Sequence, residues 1–401
     1  MIASTVNLYK RAYTGLTRRI WLLSIVMLIN RMGTMVLAFM TLYCHNRGYT
    51  IEQGGMVVAI YGVGSVVGAL LGGKISDKFG FYYTQFSALF FGGILFILLG
   101  QMNSYLSICI CTFFLSTVNE SFRPANATAI AHYSNKENRT QSFSLVRLAI
   151  NIGFGAGIAI GGFLASIDYK LLFWADGLTS ICAGILLLVI LPKVSLKQQH
   201  SAVTSKGNSS GIHSPYRNRK FLYFLFFQVL FSISFFQLFT TVPIFFKEHL
   251  HLSESMYGLV MALNGLIIAL FEMVLVFKLE GRKAYLVLMR YGAILMGLSF
   301  LTMNIPLMSG LTVAMIAVLM LTIAEMISMP FMNSYYISLS SEQSRGQYAG
   351  LYTMSWSLAQ VIGSTAGSGI ADKLGFFNLW IIVGVLCFIT ASGYYWLQKN
   401  N

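Results

Sequence analysis

Apolar runs long enough to cross a lipid bilayer follow one another through almost the whole chain, and only a handful of charges lie inside them. A spanning helix needs ~20 apolar residues at ~1.5 Å rise each. Such runs occur at 20–44, 51–76, 81–101, 104–131, 141–167 and 169–192, then at 220–247, 254–278, 284–304, 308–338, 347–371 and 375–397. Hydrophobic residues make up 56% of the 401 and charged residues 10%, with a mean hydropathy of +0.69. A water-soluble domain cannot hide that much apolar surface, whereas lipid solvates it. The expected fold is an all-α polytopic membrane protein of twelve transmembrane helices, with both ends on one side.

The net charge of +14 is placed as a topology signal. With the N-terminus assigned to the cytoplasm, nineteen of the 27 Lys and Arg fall in inner loops and termini. The outer loops hold only Arg47, Lys170, Lys247 and Lys373. That is the positive-inside pattern, so the basicity orients the chain and does not indicate nucleic acid as a partner. Both termini are expected in the cytoplasm of a bacterial-type inner (plasma) membrane. The first run is too long for a cleaved signal and reads as a retained span. The five cysteines all fall in apolar runs, where free packed thiols are expected.

Residues 193–219 form the one long polar, Ser/Gly-rich, basic stretch, expected as a flexible cytoplasmic linker between halves 1–192 and 220–401. The halves repeat. Pro124 and Arg139 correspond to Pro330 and Arg345, both 206 residues on, and Gly153 and Gly157 to Gly363 and Gly367, both 210 residues on. Duplication of this kind gives two pseudo-symmetric six-helix bundles with a substrate site between them, near the bilayer midplane.

After the second run comes Gly73-Lys-Ile-Ser-Asp77-Lys78-Phe-Gly80. It reads as a cytoplasmic loop whose glycines permit a tight turn, with Asp77 placed to face the positive end of a helix N-terminus. It resembles the signature loop of the major facilitator superfamily, G-x-x-x-D-[RK]-x-G-[RK]-[RK]. Phe81 and Tyr82 stand where that signature has two basic residues. The resemblance implies the major facilitator fold, with Gly73, Asp77, Lys78 and Gly80 as a conformational latch on the eleventh helix near Gln347. The fifth run carries Gly153, Gly157, Gly161 and Gly162, similar to the G-x-x-x-G-P-x-x-G-G stretch of drug/proton antiporters in this superfamily, with Ile158 at the proline position. Small residues there let helices approach closely.

Each ionisable group kept in hydrocarbon costs at least ~2.5 kcal/mol on insertion scales and is a functional candidate for that reason. Those in or near the runs are Arg31, Glu120, Arg123, Arg147, Asp176, Glu272, Arg290 and Glu325. Glu120 and Arg123 are three residues apart and share a helix face. Arg31, Arg123 and Arg147, with Asn151 one turn deeper, reach similar depths by rise per residue, so a charged cluster lining a cavity is expected. The competing reading is an ion-pair network that only locks helices together. Glu120 and Glu325 are the leading expected proton carriers and Glu272 the third, since a carboxylate in low dielectric can bind and release a proton near neutrality. Asp176 is expected at the outer interface with Lys170. Asn30, Gln237, Asn264, Tyr257, Tyr352 and Trp356 are candidate cavity-lining residues.

The expected function is a proton-coupled secondary transporter working by alternating access, exporting a small amphipathic compound or drug by proton antiport. The alternative is proton-coupled uptake of a peptide, sugar or other metabolite. No enzyme chemistry is expected. The six histidines lie in loops or at span ends, and no nucleophile–base pair, metal-ligand spacing or phosphate-binding loop stands out. No cofactor and no metal are expected. The partners are the small-molecule substrate, protons and the lipid bilayer, and the family resemblance implies a monomer.

Overall fold

Backbone N–H and C=O groups in lipid must be satisfied within their own segment, so each long apolar run closes into a helix. The structure is a computed structural model that describes residues 10, 12–49, 51–193, 214–252, 254–305 and 309–400. Its first half consists of α1 (Arg18–Met32), α2 (Val36–Asn46), α3 (Ile51–Phe79), α4 (Phe81–Gln101), α5 (Tyr105–Glu120), α6 (Phe122–Tyr133), α7 (Arg139–Ile167) and α8 (Lys170–Ile190). Then follow α9 (Arg219–Thr240), α10 (Val242–Glu248), α11 (Glu254–Leu279), α12 (Tyr285–Thr302), α13 (Gly310–Met326), α14 (Met329–Leu339) and α15 (Arg345–Lys399). No strand occurs among the described residues.

Ten helical stretches among the described residues, counting α5 with α6 and α13 with α14 as one each, are long and apolar enough to cross a membrane. The longest, α15, is interrupted at Gly375 (φ 80°) and so comprises two spans. The first expected span is the pair α1 and α2, each short on its own. With these, the twelve spans of the sequence reading are present among the described residues.

The chain forms two compact units. One holds Leu16–Pro215 with Ser340–Met354; the other holds Tyr216–Leu339 and Ser355–Asn401, together with the described residues up to Gly15. The first turns of α15 thus belong with the first unit, not with the segment from residue 220 onward. Residues 194–213, most of the expected linker, lie outside the described residues.

Within the first unit, α7 lies directly on α1. A Cβ added to Gly153 would sit 2.7 Å from the Leu28 carbonyl oxygen, one on Gly157 2.8 Å from that of Met32, and one on Gly161 3.0 Å from Met35 Cβ. Gly162 stands off the stripe, 4.0 Å from Phe39. A second stripe, Gly64, Gly68 and Gly72 of α3, presses on α5 and its end, where added Cβ atoms would meet Ser116 Oγ at 1.8 Å, Thr117 O at 2.3 Å and Ser121 Cα at 2.4 Å. Small residues with this spacing are how membrane helices gain van der Waals contact without a hydrophobic driving force.

The second unit repeats the first contact. Gly363 and Gly367 of α15 lie on α9, where added Cβ atoms would meet Ile233 O at 3.0 Å and Gln237 Oε1 at 2.1 Å. Gln237 stands 206 residues after Arg31, so the two occupy matching places under matching glycine pairs.

Breaks in the helices repeat as well. The first span parts at residues 33–35 and the seventh at Thr241, again 206 residues beyond Met35. The fourth parts at Ser121, just after Glu120; the tenth parts at Ile327 and Ser328, two residues after Glu325. Neither pair of breaks is expected from the apolar runs, which continue through them.

One local expectation is corrected. Gly73, Asp77 and Lys78 are not in a loop: α3 continues to Phe79, and the chain turns only at Gly80, where φ is 90°. A glycine is required at that turn because L side chains rarely tolerate such a φ. No helix-breaking residue precedes it between Lys74 and Phe79, so the helix runs on past the apolar stretch.

Candidate functional site

Polar groups at lipid depth gather in the first unit where α1, α3, α5 and α6 meet. The break after Glu120 aims the end of α5 at this place. Glu120 is 5% exposed, and its Oε2 lies 2.7 Å from Arg123 Nε on the next turn. Its other oxygen accepts a hydrogen bond of 3.2 Å from the Tyr61 hydroxyl, which in turn accepts one of 3.3 Å from Asn119 Nδ2. Arg123 itself is 46% exposed, a half-open cation against a closed carboxylate. Arg31, from α1, interacts electrostatically with Arg123, Glu120 and Tyr61. Its Nε is buried with no hydrogen-bond acceptor.

Of the expected cluster, the structure therefore gathers Arg31, Glu120 and Arg123. Arg147 and Asn151 lie on α7, the helix that packs against α1, with Arg147 half-buried and Asn151 exposed. Tyr61 and Asn119 complete the arrangement and were not singled out in the sequence. Tyr61 is one of 21 tyrosines, and nothing local distinguishes it. The glycine stripe on α3 that positions it, Gly64-x-x-x-Gly68-x-x-x-Gly72, was readable as a close-packing signal.

Asp176 is not at the outer interface. It is 1% exposed and caps the broken first span, accepting the Met35 N–H at 3.0 Å with both oxygens and the Val36 N–H at 2.8 Å with one. The carboxylate thus sits against the positive end of α2 and satisfies donors that the break leaves orphaned. Gly33 fits against the same helix: an added Cβ would meet Thr179 Oγ1 at 1.7 Å. Asn30, one turn before the break, is buried and donates to Ser180 Oγ at 3.5 Å.

In the second unit Glu272 and Glu325 are 3% and 7% exposed. Asn264 donates to Thr322 Oγ1 at 2.8 Å. Gln237 is buried and fully engaged, donating to the carbonyls of Ile233 (3.0 Å) and Gly363 (2.9 Å) and accepting from the Thr241 hydroxyl (2.8 Å). Trp356 makes edge contacts with Phe235 and Phe236. Tyr352, in the first unit, is buried. Tyr257 lies in α11, with its side chain outside the described residues. Arg290 rests over the rings of Tyr291 and Tyr395, at 5.1 and 5.3 Å.

The signature segment has its own geometry. Asp77 Oδ1 accepts the Gly346 N–H at 2.7 Å and Oδ2 the Gln347 N–H at 2.9 Å, at the start of α15. Gly73 and Gly346 make the approach possible, since a Cβ on Gly73 would lie 2.5 Å from the Gly346 carbonyl oxygen. Lys78 is exposed, 5.3 Å over the Phe79 ring. Where the signature has basic residues, Phe81 packs on His132 and Tyr133, and the Tyr82 hydroxyl donates to the carbonyls of Leu188 and Leu191. Aromatic packing to α6 and the end of α8 replaces charge at these two positions.

Known proteins share this layout. The chain is 25% identical over 377 residues to a Na(+), Li(+), K(+)/H(+) antiporter of Planococcus maritimus, covering 86% of this chain and 87% of that protein. It is 22% identical over 357 residues to Multidrug resistance protein 2 of Bacillus subtilis, covering 86% and 87%. A bacterial homologue of the iron transporter ferroportin, solved in an outward-facing state, superposes with a TM-score of 0.75 at 14% identity, over 95% of this chain and all of that one. Residues 20–364 match the Major Facilitator Superfamily, and with the fold, the repeated halves and the Asp77 signature this makes the chain a member of that family: a transporter, not an enzyme.

Proposed function

We propose that the protein is a proton-coupled secondary transporter that exports a small amphipathic compound by antiport. It works by alternating access, in which the binding site opens to one side of the membrane at a time. Glu120 and Glu325 lead as proton carriers, with Glu272 third; Glu325 stands one residue before Met326, the position 206 residues after Glu120. The observation that carries the reading is Glu120 itself. It is a carboxylate at lipid depth, 5% exposed, held between Arg123 and the Tyr61 hydroxyl. Protonating it releases Arg123, and losing the proton restores the pair, so one proton selects between two local arrangements. The names of the relatives support the direction: one is an antiporter using protons and another a multidrug resistance protein.

On this reading Asp77 latches one state of the cycle through its hydrogen bonds to Gly346 and Gln347. The glycine stripe of α7 gives α1 a smooth surface on which to pack. The protein is a monomer of the inner (plasma) membrane with both termini in the cytoplasm.

Purified protein in liposomes with an imposed pH gradient tests the proposal. A panel of amphipathic compounds is offered while a trapped dye follows internal pH. Antiport moves protons against the compound; movement of both in one direction establishes uptake by symport and removes the export reading.

A further inference from the structure

The cluster in the first unit does not balance its charge. A guanidinium is not deprotonated in proteins, so Arg31 and Arg123 bring two positive charges to one carboxylate. Glu120 is engaged elsewhere: one oxygen faces Arg123 and the other takes the Tyr61 hydroxyl. Asp176, the other carboxylate close to α1, is spent on the Met35 and Val36 N–H groups. Arg31 makes no hydrogen bond among the described residues, and its Nε is buried without an acceptor. Arg123 uses only its Nε on Glu120 and is 46% exposed, leaving its terminal amino groups open to an incoming acceptor.

A buried cationic donor without an acceptor is costly, and at lipid depth the cost is greater. Fixed planar guanidinium forks match the oxygens of a carboxylate, sulfonate or phosphate. We propose that Arg31 and Arg123 form an anion-binding subsite, and that the transported compound is an amphipathic organic anion whose acidic group lies between them. This rests on the reading of the cluster as the transport site. A cationic cargo would instead have to enter a region that already carries an excess of positive charge. Glu120 meets Arg123 at its Nε and Tyr61 at its hydroxyl, so on this proposal substrate and proton occupy neighbouring but separate groups.

The test compares two probes of one shape and opposite charge, dansylglycine (a carboxylate) and N-dansylethylenediamine (an ammonium), on the purified full-length protein. Binding is read by displacement and by thermal stabilisation without a gradient. The carboxylate is expected to bind at least tenfold tighter than the ammonium. Arg31→Gln removes that preference, and Arg31→Lys keeps part of it. Equal binding, tighter binding of the ammonium, no binding of the carboxylate, or an unchanged preference in a folded Arg31→Gln protein overturns the proposal. A pH gradient across liposomes then separates the two ideas. Carboxylate-selective binding with no gradient-driven movement retains the anion subsite and removes proton coupling. Gradient-driven movement of the ammonium alone does the reverse.

Discussion

The two units solve the same structural problem with different chemistry. Both break their first and fourth spans at corresponding places, and both lay a glycine pair of the fifth span on the first. In the first unit charge attends each break: Asp176 caps the N–H groups after Gly33, Arg31 stands just before it, and Arg123 pairs with Glu120 across Ser121. In the second unit neutral groups stand at several of these positions. Gln237 is the counterpart of Arg31, the Thr241 hydroxyl bonds to it, Pro243 lies in the first turn of α10 after the break, and Met329 falls 206 residues after Arg123. The break in the seventh span is therefore a property of the duplicated scaffold that forms with neutral groups, while Glu325 stands two residues before the break in the tenth. The arginines of the first unit are an addition to that scaffold, so their cost in the membrane calls for a functional return.

The largest expected effect separates those additions from the scaffold. Arg123→Ala leaves Glu120 buried without its cation and is expected to cost about 3–5 kcal/mol. Ser328→Ala, at the matching break, is expected to change stability by less than about 0.5 kcal/mol, because its hydroxyl has no partner to lose. Thermal melting in detergent compares the two, and equal losses would erase the distinction between the units.

How much of this was legible follows from what lipid selects. Bilayer thickness dictates long apolar runs, so the twelve spans and their approximate ends could be read directly, as could the repeat from Pro124 and Pro330. The breaks could not, because side chains facing lipid stay apolar whether or not the backbone beneath them is interrupted. Asp176 was misplaced for a related reason: its partners, Met35 and Val36, lie about 140 residues away and offer only backbone donors. The spacing of Glu120 and Arg123 was local and readable, whereas Tyr61 reaches Glu120 from another helix.

Smaller effects sharpen the comparison further. Asp176→Asn keeps one acceptor oxygen and loses the charge, with an expected cost of about 1.5–3 kcal/mol in the same melting assay. Gly157→Leu forces a side chain against the Met32 carbonyl and is expected to cost about 1–3 kcal/mol, unless α1 can shift away. Thr241→Val removes the neutral hydrogen bond to Gln237 and is expected to cost about 1 kcal/mol. A Thr241→Val loss as large as that of Asp176→Asn would show that charge adds nothing to the cap. Asp77→Asn weakens a charge at a helix N-terminus, worth about 0.3–1 kcal/mol. That corresponds to a shift of a few-fold at most between inward- and outward-open states, read by cysteine accessibility after the five native cysteines are replaced.

The most direct test of the account is proton movement driven by an outwardly or inwardly directed substrate gradient in liposomes, wild type against Glu120→Gln. The account predicts that wild-type protein moves protons opposite to the substrate, while the variant binds substrate and carries it down its own gradient with no proton signal. A Glu120→Gln protein that moves protons as the wild type does would show that this carboxylate is a structural tie, and the proposed mechanism would fail.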